Sequence, residues 1–291
     1  MNFTQQLSGT GVALVTPFDT EKEVDYKALE TIINYVIDGG VGYIVILGTT
    51  GETPTLSISE KIAIINFTYL KVAGRVPVIL GIGGNSTKET IEALNKYPLE
   101  GAIAVLSVSP YYNKPSQEGL YQHYTAIANA SVKPIILYNV PGRTGRNIDA
   151  TTTLRLATHP NIIGIKEAGG DFDQCMEVIK NKPTDFFVVS GDDGLSLSQI
   201  ACGMTGVISV AANAFPKEFS SMINLCLQGN FKDARTIHFS LLEAYNLMFA
   251  ENNPAGIKAF MFEKGLLLNE LRLPVTPLSK PLHDAVKAFK L

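Results

Sequence analysis

A lysine stands at the end of a short apolar run, in the segment IIGIKEAGG at residues 162–170. Alternate residues of an extended strand share a face, so Lys166 should point into a barrel or sheet interior if Ile163 and Ile165 face a helix layer. A lysine amine in such a buried position can attack a carbonyl carbon as a nucleophile. A second interpretation stays open, in which the lysine extends to solvent or pairs with a carboxylate such as Glu167 or Asp192.

Other polar residues follow similar apolar runs. Tyr138 ends the segment PIILYN and can transfer a proton. The turn GTTGE offers main-chain N–H groups and the hydroxyls of Thr49 and Thr50, which together can hold a small carboxylate. Arg143, in PGRTGR, can bind a second carboxylate through two parallel hydrogen bonds. Each feature also has an ordinary structural interpretation, as a core tyrosine, a tight turn and a solvated loop arginine.

The elements that carry these residues repeat along the chain. Eight Val- and Ile-rich segments alternate with segments whose apolar residues recur every three or four positions. Strands that are apolar on both sides and separated by helices indicate a parallel sheet covered on both faces, and eight of them favour a closed (β/α)₈ TIM barrel. The eight segments begin at Gly11, Tyr43, Val76, Ala102, Pro134, Ile162, Phe186 and Gly206.

Only helical patterns follow the eighth strand, from about Pro216 onward. We therefore predict a (β/α)₈ barrel catalytic domain over residues 1–225 and a C-terminal helical extension, or small helical lobe, over residues 226–291. Catalytic residues of such barrels lie at the C-terminal ends of the strands. The polar segments described above all lie at those ends.

Composition narrows the class of protein. The 24 basic and 27 acidic residues are scattered, which excludes a basic surface for nucleic acid or an anionic membrane. A secretory signal and an apolar run long enough to cross a bilayer are both missing from the sequence, so we predict a cytoplasmic protein. Its three cysteines and four histidines are widely separated, and we predict no metal site and no cofactor.

Five motifs together are more specific than any one of them. Their order and spacing closely resemble those of the dihydrodipicolinate synthase / N-acetylneuraminate lyase family of class I aldolases. The motifs are GTTGE, SPYYNKPSQEGLYQHY, LYNVPGRTG, GIKEA and SGDD. The resemblance covers almost the whole chain. It implies a TIM-barrel lyase that forms a Schiff base with pyruvate and needs no cofactor.

The resemblance also implies roles for individual residues. It gives Lys166 the Schiff base, and it gives Tyr138 the transfer of protons with Thr49 and Tyr112 as its relay. Tyr112 would reach the site of a neighbouring subunit, which implies a homotetramer built as a dimer of dimers. The residues implied for substrate binding are Thr50, the main chain near Ile208, Arg143 and Gly191.

Within the family, Arg143 favours one branch. The sialic acid lyases normally lack an arginine after the YNxP segment, so the resemblance implies condensation of pyruvate with aspartate semialdehyde, in the diaminopimelate route of lysine biosynthesis. Other pyruvate-dependent aldolases and dehydratases of the family remain the alternative. A barrel that binds a keto acid without catalysis is a further alternative.

The lysine feedback site of regulated members is matched only in part. Asn85, Glu89 and Tyr111 fit it, but Ile58 and Lys61 stand where those members often carry two histidines. A cation at Lys61 repels a cationic effector, and Ile58 cannot donate a hydrogen bond. We therefore predict weak or absent inhibition by lysine.

Overall fold

Eight parallel strands close into a barrel in which each strand pairs with the next and the last pairs with the first. A computed structural model describes residues 3–291 of the chain. The predicted (β/α)₈ barrel is confirmed, and each of the eight predicted segments overlaps a strand. The strands are β1 Gly9–Ala13, β2 Tyr43–Ile46, β3 Val78–Gly81, β4 Ala104–Val108, β5 Ile135–Asn139, β6 Ile162–Glu167, β7 Phe187–Ser190 and β8 Gly206–Ser209.

Helices surround the barrel, and several begin where a Ser or Asp side chain accepts a main-chain N–H of the first turn, as at Asp25, Ser57 and Ser116. The helices up to the seventh strand are α1 Phe3–Gln6, α2 Tyr26–Asp38, α3 Ile58–Val72, α4 Thr87–Lys96, α5 Gln117–Ala130, α6 Pro141–Thr144, α7 Ala150–Leu156 and α8 Phe172–Asn181. Those that follow are α9 Ser196–Ala201, α10 Pro216–Leu227, α11 Phe231–Phe249, α12 Ala255–Glu263 and α13 Lys280–Ala288.

The apolar side chains form two separate cores. One lies between the strands and the helices, and the other fills the inside of the barrel with residues such as Tyr43, Phe187 and Ile208. Burial on both faces explains why the strands are apolar without alternation. The interior core fills the barrel between its strands.

The strand β6 departs from the simple alternation predicted for it. Ile165 packs in the outer core as predicted, but Ile163 packs against the barrel interior. The prediction for Ile163 was wrong because the pairing of β5 with β6 shifts register between Ile135 and Ile136, and this irregularity interrupts the two-residue period.

The C-terminal segment forms the four helices α10 to α13. The predicted domain boundary at residue 225 falls inside α10, which packs on α11 and on β1. The division into a barrel and an extension stays a prediction. Within residues 3–291 we find no helix long and apolar enough to cross a membrane.

Candidate active site

A cavity of about 430 Å³ lies at the C-terminal ends of the strands. It is lined by residues from the ends of β5, β6 and β7, from the turn after β2, and from the C-terminal segment. Six of the residues predicted for the site line it, namely Thr49, Thr50, Tyr138, Arg143, Lys166 and Gly191. The structure therefore brings together residues that are far apart in the sequence.

Lys166 and Tyr138 are direct neighbours across two strands. They are paired in the register of β5 and β6, and both side chains point into the barrel. The Nζ atom of Lys166 lies 4.4 Å from the centroid of the Tyr138 ring. The lysine is only 5% exposed, and the ring face offers its ammonium form an electrostatic contact. The contact brings a buried amine against the ring of a tyrosine.

Gly191, just after β7, leaves the room that Lys166 occupies. A Cβ atom added at Gly191 would lie 2.9 Å from Cε of Lys166 and 2.7 Å from Cβ of Ala168. The main-chain N–H of Gly191 donates to the carbonyl oxygen of Glu167 at 2.7 Å, which holds the turn against β6. The side chain of any other residue would therefore press on the lysine. On β6, Gly164 lies against the ring of Phe187, since a Cβ atom added there would lie 2.7 Å from the ring carbons.

Behind the cavity, the next residue of each strand faces outward. The Nδ2 atom of Asn139 donates to both carboxylate oxygens of Glu167, at 3.0 and 2.9 Å, and the N–H of Gly169 donates to the same carboxylate at 2.6 Å. Burial raises the pKa of Glu167 to about 6. Because Asn139 follows Tyr138 and Glu167 follows Lys166, this contact fixes the two strand ends relative to one another.

The turn after β2 carries the two predicted hydroxyls. Thr49 begins a short 3₁₀ turn that ends at Gly51, and Thr50 is buried beside the cavity. The Oγ1 atom of Thr50 accepts a hydrogen bond from Nδ2 of Asn253 at 3.1 Å. Arg143 donates from Nη2 to the main-chain oxygen of Asn253 at 3.2 Å, while the rest of its side chain stays exposed at the cavity mouth.

Two predicted residues do not line this cavity. Ile208 is buried in the barrel interior, where it pairs with Gly11 of β1. Tyr112 is 89% exposed and has a φ of 71°, in the left-handed region that few non-glycine residues adopt. In a single chain, Tyr112 therefore does not contribute to the lining of the cavity.

A second cavity, of about 360 Å³, shares several lining residues with the first, and one of the residues predicted for a regulatory site lines it. Tyr111 lines that cavity, and the main-chain oxygen of Asn85 accepts a hydrogen bond from Asn113. Ile58, 47% exposed, and Lys61 both lie at the start of α3, while Glu89 lies in the first turn of α4. Burial lowers the pKa of Lys61.

Sequence reasoning missed the part of the site that the C-terminal segment supplies. Tyr245, Phe249 and Asn253 line the cavity although they lie beyond the eighth strand. Lys258, in the apolar first turns of α12, forms a fully buried ion pair with Glu52 at 2.5 Å. A charged residue inside the run AGIKAFMF was the one sequence signal that this segment has a buried polar partner.

The barrel carries a buried lysine at its C-terminal face, with a tyrosine beside it and a hydroxyl-bearing turn at the same cavity. This combination is typical of the class of Schiff-base-forming aldolases. The model of the dihydrodipicolinate synthetase family matches residues 6–289, and the chain belongs to that family. The resemblance inferred from the motifs is thereby confirmed.

Named relatives support the same assignment. The chain is 53% identical to the 4-hydroxy-tetrahydrodipicolinate synthase of Parabacteroides distasonis over 97% of this chain and 95% of the relative. Among solved structures, the dihydrodipicolinate synthase of Aquifex aeolicus superposes with a TM-score of 0.93 at 41% identity, covering 97% and 96% of the two chains. The chloride-inhibited enzyme of Acinetobacter baumannii, complexed with pyruvate, gives a TM-score of 0.94 at 41% identity, covering 97% of each chain.

Proposed function

We propose that this chain catalyses the condensation of pyruvate with L-aspartate 4-semialdehyde to 4-hydroxy-tetrahydrodipicolinate, the first committed step of diaminopimelate and lysine biosynthesis. The observation that carries the proposal is the contact of buried Lys166 with Tyr138 inside the cavity. The relatives of about half-identical sequence, all named as synthases of this product, support the same reaction.

The first half of the reaction activates pyruvate. The Nζ atom of Lys166 attacks the keto carbon, and loss of water gives a protonated imine. Tyr138, which lies against the lysine, supplies and removes protons, with Thr49 and Tyr112 as its relay. Thr50 and the main chain near Ile208 hold the pyruvate carboxylate, and Gly191 leaves the imine room.

The second half forms the carbon–carbon bond. The imine withdraws electrons, so the pyruvate methyl group loses a proton and becomes an enamine that attacks the aldehyde carbon. The amino group of the semialdehyde then attacks the imine carbon, which closes the ring and releases Lys166. Arg143, exposed at the cavity mouth and held by Asn253, binds the carboxylate of the semialdehyde.

Tyr112 supports an assembly of several chains. Its nearly complete exposure and its left-handed backbone, which costs of the order of 1–3 kcal/mol, fit a residue that is held in place by a neighbouring subunit. We propose that it completes the partner's site in a cytoplasmic homotetramer, a dimer of dimers. One similar structure is described as a monomeric synthase variant, so sedimentation of the purified chain is the appropriate measurement.

Turnover with alternative aldehydes tests the reaction. With pyruvate present, the enzyme should consume aspartate semialdehyde and should not act on N-acetylmannosamine or a sugar-derived aldehyde. Arg143→Ala should harm use of the semialdehyde more than formation of the pyruvate imine. Turnover of a sugar aldehyde instead would assign the chain to another aldolase of the family, and binding of pyruvate without any turnover would make it a noncatalytic keto-acid-binding barrel.

A further inference from the structure

We propose that Asn253 is a positioning residue that directs the hydroxyl hydrogen of Thr50 toward the carboxylate of pyruvate. Asn253 lies between α11 and α12, outside the barrel. The inference rests on the proposed function, because it takes the anion beside Thr50 to be the carboxylate of the pyruvate that reacts with Lys166.

In the hydrogen bond between Asn253 and Thr50 the amide nitrogen is the donor, and the amide oxygen Oδ1 is buried without a hydrogen-bond partner among the described residues. Both residues are buried, at 4% and 2% exposure, and the Nδ2 atom of Asn253 donates to Oγ1 of Thr50 at 3.1 Å. A hydroxyl group has one hydrogen to donate and two lone pairs to accept with. Because an amide N–H₂ group can only donate, it occupies a lone pair of Thr50 and leaves the hydroxyl hydrogen for an acceptor in the cavity.

The main chain and a buried ion pair hold Asn253 in this position. Its carbonyl oxygen accepts the hydrogen bond from Arg143 at 3.2 Å. Lys258, on the helix that follows, pairs with Glu52 in the turn that carries Thr50, and both side chains are almost completely buried. The C-terminal segment is therefore joined to the hydroxyl-bearing turn at two points, and the amide of Asn253 is fixed against Thr50.

The two contacts of Asn253 should affect the binding of different substrates. The side-chain amide acts on Thr50 and so on pyruvate, whereas Arg143, which binds the semialdehyde, contacts only the main-chain oxygen. A substitution at position 253 removes the first contact and keeps the second. Loss of the amide should therefore raise the KM for pyruvate and leave the KM for the semialdehyde unchanged, whereas general loosening of the segment would raise both.

The test uses the full-length enzyme and borohydride trapping of the pyruvate imine over a range of pyruvate concentrations. Asn253→Ala should raise the half-saturating concentration by ~10-fold, because one hydrogen bond is lost. Asn253→Asp should raise it by ~100-fold at neutral pH, since a carboxylate takes the hydroxyl hydrogen for itself and places a negative charge near pyruvate.

A double-mutant cycle shows whether Asn253 acts through the hydroxyl. In a Thr50→Val background, which has no hydroxyl, adding Asn253→Ala should change the half-saturating concentration of pyruvate by less than ~2-fold. In a Thr50→Ser background, which keeps the hydroxyl, the ~10-fold effect should return. An equal effect of Asn253→Ala in the Val and Ser backgrounds would assign Asn253 a purely structural role and overturn the inference.

Two further outcomes separate this inference from the proposed function. If the wild-type chain is trapped but Asn253→Asp binds pyruvate as well as the wild type, Thr50 donates its hydrogen to residue 253 and the inference is wrong. If the wild-type chain gives no pyruvate adduct at all, the proposed function itself fails. Should Asn253→Asp not fold, the cycle with Asn253→Ala decides alone.

Discussion

Gly191 is the position where a single methyl group should disturb the site most directly. In Gly191→Ala the new Cβ would lie 2.9 Å from Cε of Lys166 and 2.7 Å from Cβ of Ala168, against an ordinary contact of 3.4 Å or more. The lysine terminus must therefore move by about 0.5 Å, since it is more flexible than the backbone around Ala168. Overpacking of this kind costs about 1–3 kcal/mol of unfolding free energy.

The displacement also sets the expected loss of activity. A reacting group misplaced by 1 Å costs about 10²-fold in rate, so half that distance should cost about tenfold in the rate of imine formation. We would measure this rate by rapid mixing with pyruvate, beside denaturant unfolding of the same protein. Gly194→Ala is the matched control, because its Cβ meets only Asp192 Oδ1 at 3.4 Å. Wild-type rate and stability in Gly191→Ala would refute the crowding argument.

Three other predictions concern buried charge and regulation. Lys258→Met leaves Glu52 charged and without its ion-pair partner, so denaturant titration should give an unfolding free energy lower by about 3–5 kcal/mol. Adding Glu52→Gln should recover part of this loss. No recovery would count against the ion pair as its cause. Burial lowers the pKa of His123 from 6.5 to about 4, so its contribution to stability is complete above pH 6.5 and is lost as pH falls to 4. His123→Gln should therefore weaken the pH dependence of the unfolding free energy between pH 6.5 and 4. An unchanged pH dependence would contradict this prediction. Steady-state assays should find weak or absent inhibition by lysine, because Ile58 cannot donate a hydrogen bond and a cation at Lys61 repels a cationic effector. Inhibition at micromolar lysine would overturn that prediction.

The barrel was predictable because its signals are local. Each strand is a short apolar run of β-branched residues between turn signals, and several of the helices begin at their own Ser or Asp cap. Lys166, Tyr138 and Arg143 could be placed for the same reason, since parallel strands end at one face of the barrel. The orientation of Ile163 could not be predicted, because the register shift between β5 and β6 arises from pairing with another strand. The sequence of the segment itself does not indicate it.

The contribution of the C-terminal segment was not predictable from periodicity. Asn253 and Lys258 follow the barrel in sequence, and nothing local indicates that their partners are Thr50 and Glu52, some 200 residues earlier. Such contacts depend on how α11 and α12 pack across the open end of the barrel. A helical pattern predicts where the helices lie in the sequence, but it does not predict which part of the barrel they contact.

Mass spectrometry after borohydride reduction tests the central claim most directly. Pyruvate and borohydride together should add a single reduced pyruvyl group to the chain, and peptide mapping should locate it on Lys166. Lys166→Arg, which keeps the positive charge but lacks the reactive amine, should remain unmodified under the same conditions. A folded wild-type chain without an adduct at saturating pyruvate, or with the adduct on another lysine, would contradict the Schiff-base mechanism.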